Sequence, residues 1–117
     1  MQQEKSLCRK VASGKIEVDT IYESSNIIAF HHPYPRYEKH IVIMPKNYIK
    51  DFTELKTEDE LAVWDVIKVA KYIAKGLVGA GFGVRFLTNL GKFQKEDYLH
   101  FHLVAGEKIR EGEEYLY

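Results

Sequence analysis

Hydrophobic and polar positions change period several times along the 117 residues. Residues 5–12 carry a short helical pattern that Ser13-Gly14 ends. Residues 16–22 and 26–31 read as two short strands around a turn at Glu23-Ser24-Ser25, the first contributing Ile16, Val18, Ile21 and Tyr22, the second Ile27, Ile28 and Phe30. Two prolines make His31-His32-Pro33-Tyr34-Pro35 a loop, because proline fixes φ and lacks a ladder donor. His40-Ile41-Val42-Ile43-Met44 is a third strand, stopped by Pro45. A long helix is predicted from Thr57, where Thr57 and Glu60 have capping-box spacing. Leu61, Trp64, Ile67, Ala70, Ile73 and Leu77 recur as its core stripe, Lys68, Lys71 and Lys75 face water, and Gly76, Gly79 and Gly81 mark its end. Val63, Val66 and Tyr72 fall off that stripe, an apolar surplus that asks for a second partner surface. Val84 to Leu87 form another strand, and Thr88-Asn89-Leu90-Gly91 turns out of it. Strands in a run, one long helix, then two more strands imply an α+β fold: an antiparallel sheet with a helix on one face.

The strictest alternation comes last, in Tyr98-Leu99-His100-Phe101-His102-Leu103-Val104. A period of two places Leu99, Phe101 and Leu103 in a core and Tyr98, His100 and His102 together on the opposite face. Side chains two apart on a strand stand about 6.5–7 Å apart, so both imidazoles can reach one small group. Imidazole titrates nearest neutrality of all side chains, which suits nucleophilic or proton-transfer chemistry. Three readings of the pair remain open on these residues alone: structural histidines, a metal site, or catalysis.

Composition narrows the choice modestly. With 45% hydrophobic and 29% charged residues, the chain reads as an ordinary globular protein of one domain, residues 1–117. Lys plus Arg and Asp plus Glu balance at 17 each, which disfavours nucleic-acid binding through bulk charge; phosphate recognition would have to come from local geometry. Cys8 is the single cysteine, so no internal disulfide forms, and it reads as structural or incidental. MQQEKS leads into no apolar signal region and no apolar run reaches membrane-spanning length, so a cytoplasmic protein without membrane contact is expected.

Taken together, these segments resemble the histidine triad (HIT) family of nucleotide hydrolases and transferases, in its HINT-like branch. The family ends its fold with His-φ-His-φ-His-φ-φ, φ being apolar, and residues 98–104 fit at six of seven positions. Residues 22–30 resemble the family's early strand pair, and Lys39-His40-Ile41-Val42-Ile43-Met44-Pro45-Lys46 its Gly-His-x-φ-φ-φ-Pro-Lys segment. Asn89-Leu90-Gly91 and Gln94 match an Asn-x-Gly turn and a Gln before the histidine strand. The resemblance implies a five-stranded sheet with one long and one short N-terminal helix, and a homodimer that joins two sheets into ten strands. The aromatic tail Tyr115-Leu116-Tyr117 is then placed near the partner.

By the same resemblance, His100 takes the place of the nucleophile that attacks the α-phosphorus and forms a nucleotidyl-histidine, and His102 that of the group beside the leaving group. His40 matches a supporting histidine, with a buried hydrogen-bonding role as the alternative, while Asn89 and Gln94 match polar positions that hold the nucleotide. His32, followed by Pro33, stands where relatives place Asp or Asn against the ribose, and Lys95 where many have a small hydroxyl residue beside the phosphate. Some members hold a structural zinc with a Cys-x-x-Cys pair, a further His and the first triad His. Those positions here are Ser6, Arg9, Tyr48 and Tyr98, which implies a member without metal or cofactor, Tyr48 and Tyr98 filling the space. The expected activity is cleavage of a nucleoside 5′-phosphoramidate, dinucleoside polyphosphate or related adenylate. The alternatives are a non-catalytic nucleotide-binding dimer and a metal-binding domain built on His100, His102 and His40.

Overall fold

The computed structural model describes residues 6–110. Two helices, α1 (Leu7–Ala12) and α2 (Glu60–Gly79), flank strands β1 (Asp19–Glu23), β2 (Ile27–His31), β3 (Tyr37–Pro45), β4 (Val84–Thr88) and β5 (Phe101–Lys108). The strands form one sheet in the order β1-β2-β3-β5-β4, and every neighbouring pair is antiparallel. The α+β reading therefore holds, with β1 and β4 at the edges.

The period-two pattern sorts the central strands onto two faces, and both faces are covered. Ile27, Ala29, Ile41, Ile43, Leu99, Phe101 and Leu103 form one core with Val66 and Ala70 of α2. Ile28, Phe30, Val42, Met44 and Tyr98 form the second with Cys8 and Val11 of α1. The histidine face is thus roofed by α1, and His100 and His102 are buried. They do not stand on an open surface.

Several expected boundaries move. β1 begins at Asp19, so Ile16 and Val18 precede it. β3 runs from Tyr37 through Pro45, longer than expected at both ends. β5 starts at Phe101 and continues to Lys108, leaving Tyr98 and His100 just before it. Ladder partners run out there, because β4 ends at Thr88, opposite Phe101, and Pro45 at the end of β3 has no N–H to give. Leu99 N–H instead donates to the Ile49 carbonyl (2.7 Å), and the Thr88 hydroxyl donates to the His100 carbonyl (2.7 Å).

The helix start also differs. Thr57–Asp59 is a single 3₁₀ turn, and α2 begins at Glu60. Asp59, not Glu60, reaches back, accepting from the Lys56 backbone N–H at 2.9 Å. A lysine side chain has no acceptor, so the reciprocal half of a capping box does not form at Lys56. The sheet-facing side of α2 carries Ala62, Val66, Val69, Ala70, Ile73 and Leu77, whereas Leu61, Trp64 and Tyr72 are exposed. Val66 thus belongs to the core, and Leu61 and Trp64 join Tyr72 on the outer surface. The tail Tyr115-Leu116-Tyr117 lies outside the described residues.

Candidate active site

Four imidazoles run across the sheet under α1. His32 follows β2, His40 lies in β3, His102 in β5, and His100 two residues before it. Ring centroids are 4.5 Å apart for His32 and His40, 5.2 Å for His40 and His102, and 4.9 Å for His102 and His100. All four residues are at most 4% exposed. The pleat brings them together: Val42 pairs with His102, so His40 and His102 are diagonal neighbours on one face.

Backbone groups dictate which ring nitrogen carries each proton. The Arg36 N–H donates to His40 Nδ1 at 3.0 Å, so a neutral His40 holds its proton on Nε2. That nitrogen lies 3.0 Å from His102 Nδ1, which must accept, leaving His102 with its proton on Nε2. The Tyr34 N–H donates to His32 Nδ1 at 2.9 Å, which fixes the same tautomer there. His100 is the opposite case. Its Nδ1 lies 2.7 Å from the Tyr98 carbonyl, which can only accept, so Nδ1 carries the proton and Nε2 the lone pair. One face thus presents a basic imidazole nitrogen on His100 beside an N–H donor on His102.

Burial keeps the supporting rings neutral. It pushes His32 down to about 4, helped by the neighbouring His100 and Arg36 charges. It pushes His40 down to about 3, with His32, Arg36 and His100 adding to the effect. Both rings remain uncharged at neutral pH, as the hydrogen-bond chain requires.

Beside His32 opens a cleft of about 790 Å³, of the size and partly apolar lining typical of small-molecule sites. Leu7 and Lys10 of α1, Ile16, Val18, His32 and Pro33 contribute to its wall. Gln94 is engaged elsewhere, its amide donating to the Lys50 carbonyl at 2.8 Å. Asn89 is half-buried just past β4, and Lys95 is exposed. The sequence reading missed Tyr34 and Arg36, which act through backbone N–H groups that no side-chain pattern announces. It also missed Ile16 and Val18 as cleft wall, since both were assigned to a strand.

A second cluster joins α1 to the sheet. The Arg9 guanidinium sits 4.7 Å from the Tyr48 ring centroid and 6.0 Å from that of Tyr98, and pairs with Asp97 at 3.1 Å. The Tyr48 and Tyr98 rings meet edge to face at 5.4 Å. The Tyr98 hydroxyl donates to the Lys46 carbonyl (2.8 Å), with that of Pro45 at 3.1 Å, and the Ser6 hydroxyl donates to Glu96. Arg9, Tyr48 and Tyr98 therefore meet as a cation over aromatic faces, while the Ser6 hydroxyl is engaged by Glu96. That donor set does not fit a zinc ion, which needs thiolate, imidazole or carboxylate ligands.

Comparison with known proteins agrees with this architecture. Residues 13–109 match the HIT domain model. A 13.2 kDa HIT-like protein of Azospirillum brasilense is 30% identical over 105 residues, covering 86% of this chain and 84% of that protein. A HIT family hydrolase from Clostridium thermocellum superposes with a TM-score of 0.75 at 27% identity, covering 90% of this chain and 92% of the other. A histidine triad nucleotide-binding protein from Candida albicans does so with a TM-score of 0.72 at 26% identity, covering 86% and 73%. With its four-histidine face and a family match over most of its length, the chain belongs to the HIT domain family.

Proposed function

We propose that this chain is a nucleotidyl hydrolase or transferase that cleaves a nucleoside 5′-phosphoramidate, dinucleoside polyphosphate or related adenylate at the α-phosphate. The observation that carries the reading is the 2.7 Å bond between His100 Nδ1 and the Tyr98 carbonyl, which holds the lone pair on Nε2. In the first step Nε2 attacks the α-phosphorus and a P–N bond forms. The bond from phosphorus to the leaving group breaks, its electron pair departs with that group, His102 Nε2–H hydrogen-bonds the departing atom, and solvent supplies its proton. In the second step water attacks phosphorus, the P–N pair returns to His100, and the water proton leaves to solvent.

The remaining residues take supporting parts in this reading. His32 offers an N–H donor to a ribose hydroxyl at the mouth of the cleft, with Pro33 and the apolar wall beside the base. His40 orients His102. Asn89, Gln94 and Lys95 approach the phosphates, Gln94 after exchanging its Lys50 contact for substrate. No cofactor takes part, and the cationic Arg9 held by Tyr48 and Tyr98 substitutes for a structural metal. Two copies pair through the unpartnered edge of β4 and the outward residues Leu61, Trp64 and Tyr72 of α2, which makes a ten-stranded sheet.

Incubation with a panel of adenylylated compounds followed by intact-mass measurement tests the mechanism. The expected result is a gain of one nucleotidyl group that is absent in His100→Asn. Turnover at the normal rate in that variant would refute covalent catalysis by His100, and tight binding with no turnover in the wild type would favour the non-catalytic binder.

A further inference from the structure

Beneath α1, three different donor types meet inside the protein. The thiol of Cys8, a carboxylate oxygen of Glu96 and a ring nitrogen of His100 all lie within 4.8 Å of one another, and all three residues are buried. Glu96 spends one oxygen, Oε1, on the Ser6 hydroxyl and the Cys8 N–H (2.9 Å). Its other oxygen, Oε2, is buried with no hydrogen-bond partner. A buried carboxylate oxygen is normally satisfied by a donor or a cation.

We propose that Cys8, Glu96 and His100 form a binding site for a thiophilic divalent cation, with zinc as the ligand. The donor set is the argument. Sulfur, imidazole nitrogen and a single carboxylate are zinc ligands, whereas magnesium and calcium require shells of oxygen atoms. Charge closes as well: thiolate and carboxylate supply two negative charges, imidazole none, and a divalent ion cancels them, leaving a neutral cluster suited to a dry interior. When the sulfur–metal bond forms, the Cys8 proton leaves to water. The bond lengths of zinc imply donor separations of roughly 3.5 Å. Contraction of about an ångström, by rotation of Cys8 and Glu96, completes the site. Because α1 carries Cys8 and also walls the cleft through Leu7 and Lys10, the ion reaches the site when this six-residue helix lifts. The site borders the Arg9–Tyr48–Tyr98 cluster, which it meets through the Ser6–Glu96 bond. Whichever ring nitrogen of His100 the ion takes, Nε2 no longer offers its lone pair to phosphorus; that consequence rests on the proposed reaction, while the site itself does not.

The test uses binding alone, with no substrate present. Metal-stripped full-length chain is titrated with Co²⁺ while the near-ultraviolet thiolate-to-cobalt charge-transfer band is followed, and Zn²⁺ is then added to displace it. We expect one ion per chain with the band present, no band in Cys8→Ser, and affinity lowered by more than roughly tenfold in Glu96→Gln and His100→Asn. His102→Asn should titrate like the wild type. Circular dichroism checks that each variant is folded, and if Cys8→Ser is not, Glu96→Gln and His100→Asn decide. Absence of cobalt binding, binding without the band, or unaltered affinity in Glu96→Gln and His100→Asn overturns the site. None of these outcomes depends on whether nucleotides are cleaved.

Discussion

His40 Nε2 lies 3.0 Å from His102 Nδ1, joining β3 to β5 diagonally across the buried face. The contact makes His40 a positioning residue, because it sets which nitrogen of His102 carries a proton. His40→Phe keeps an aromatic ring but removes the donor. Its kcat is expected to fall roughly tenfold to a hundredfold, with KM little changed. His40→Gln, which restores an N–H, should recover part of that loss. Steady-state kinetics on both variants checks the pair, and an unaltered kcat in His40→Phe would remove the role.

Acid should destabilise the fold earlier than carboxylate titration alone would. His32 and His40 fall from 6.5 to about 4 and about 3 in the folded chain. The unfolded chain therefore takes up these protons near pH 6.5, while the folded chain resists until much lower pH. Stability from the neutral rings is complete above pH 6.5 and is lost as pH falls from 6.5 toward 3. At about 1.4 kcal/mol per unit, the two shifts together correspond to a loss on the order of 8 kcal/mol across that window. Urea midpoints at pH 7.5, 6 and 5 should fall steadily in the wild type and less steeply in His40→Phe. A flat wild-type profile would contradict the burial argument.

Gly106 should tolerate no side chain. β5 inserts an extra residue here, since Tyr37 pairs with Lys108 but Lys39 with Ala105, and Gly106 has φ +82°. An added Cβ would lie 2.6 Å from Glu38 Oε1 and 3.0 Å from Glu38 Cβ. Gly106→Ala is expected to cost about 1–3 kcal/mol by chemical denaturation. A cost near zero would mean that the bulge relaxes freely.

The proposed dimer places Trp64 at a subunit contact. Sedimentation equilibrium at micromolar concentration should give twice the chain mass. Trp64→Lys should shift the population toward monomer, because a charge would be buried against apolar surface. A dimer unaffected by Trp64→Lys would move the interface away from α2, and a monomeric wild type would remove it.

Much of the architecture was legible because a period of two is insensitive to where a strand begins. Leu99, Phe101 and Leu103 take one face and Tyr98, His100 and His102 the other, although β5 starts only at Phe101. The pairing of His100 with His102 was legible for the same reason, whereas His32 and His40 joined them only through the family resemblance. The face of α2 was harder to read. Large side chains such as Leu61 and Trp64 dominate a hydrophobic pattern, yet the sheet-facing side is built partly from Ala62, Ala70 and Ala74, whose small size lets the helix sit close. Cys8 looked incidental because its partner Glu96 is 88 residues away in the chain. No local spacing reports such a meeting.

The run from the Arg36 amide through His40 to His102 has a polarity, like a row of magnets laid head to tail. Each neutral imidazole has one donor and one acceptor, so turning round the first link turns round every later one. What His102 shows at its far nitrogen is therefore decided by a peptide amide, and the identity of the side chain at position 36 does not enter. Proline is the one residue that would erase the instruction, since it has no N–H to give. A chain with every histidine intact, but with proline at that position, would be free to reverse the row and present a lone pair where a proton is needed.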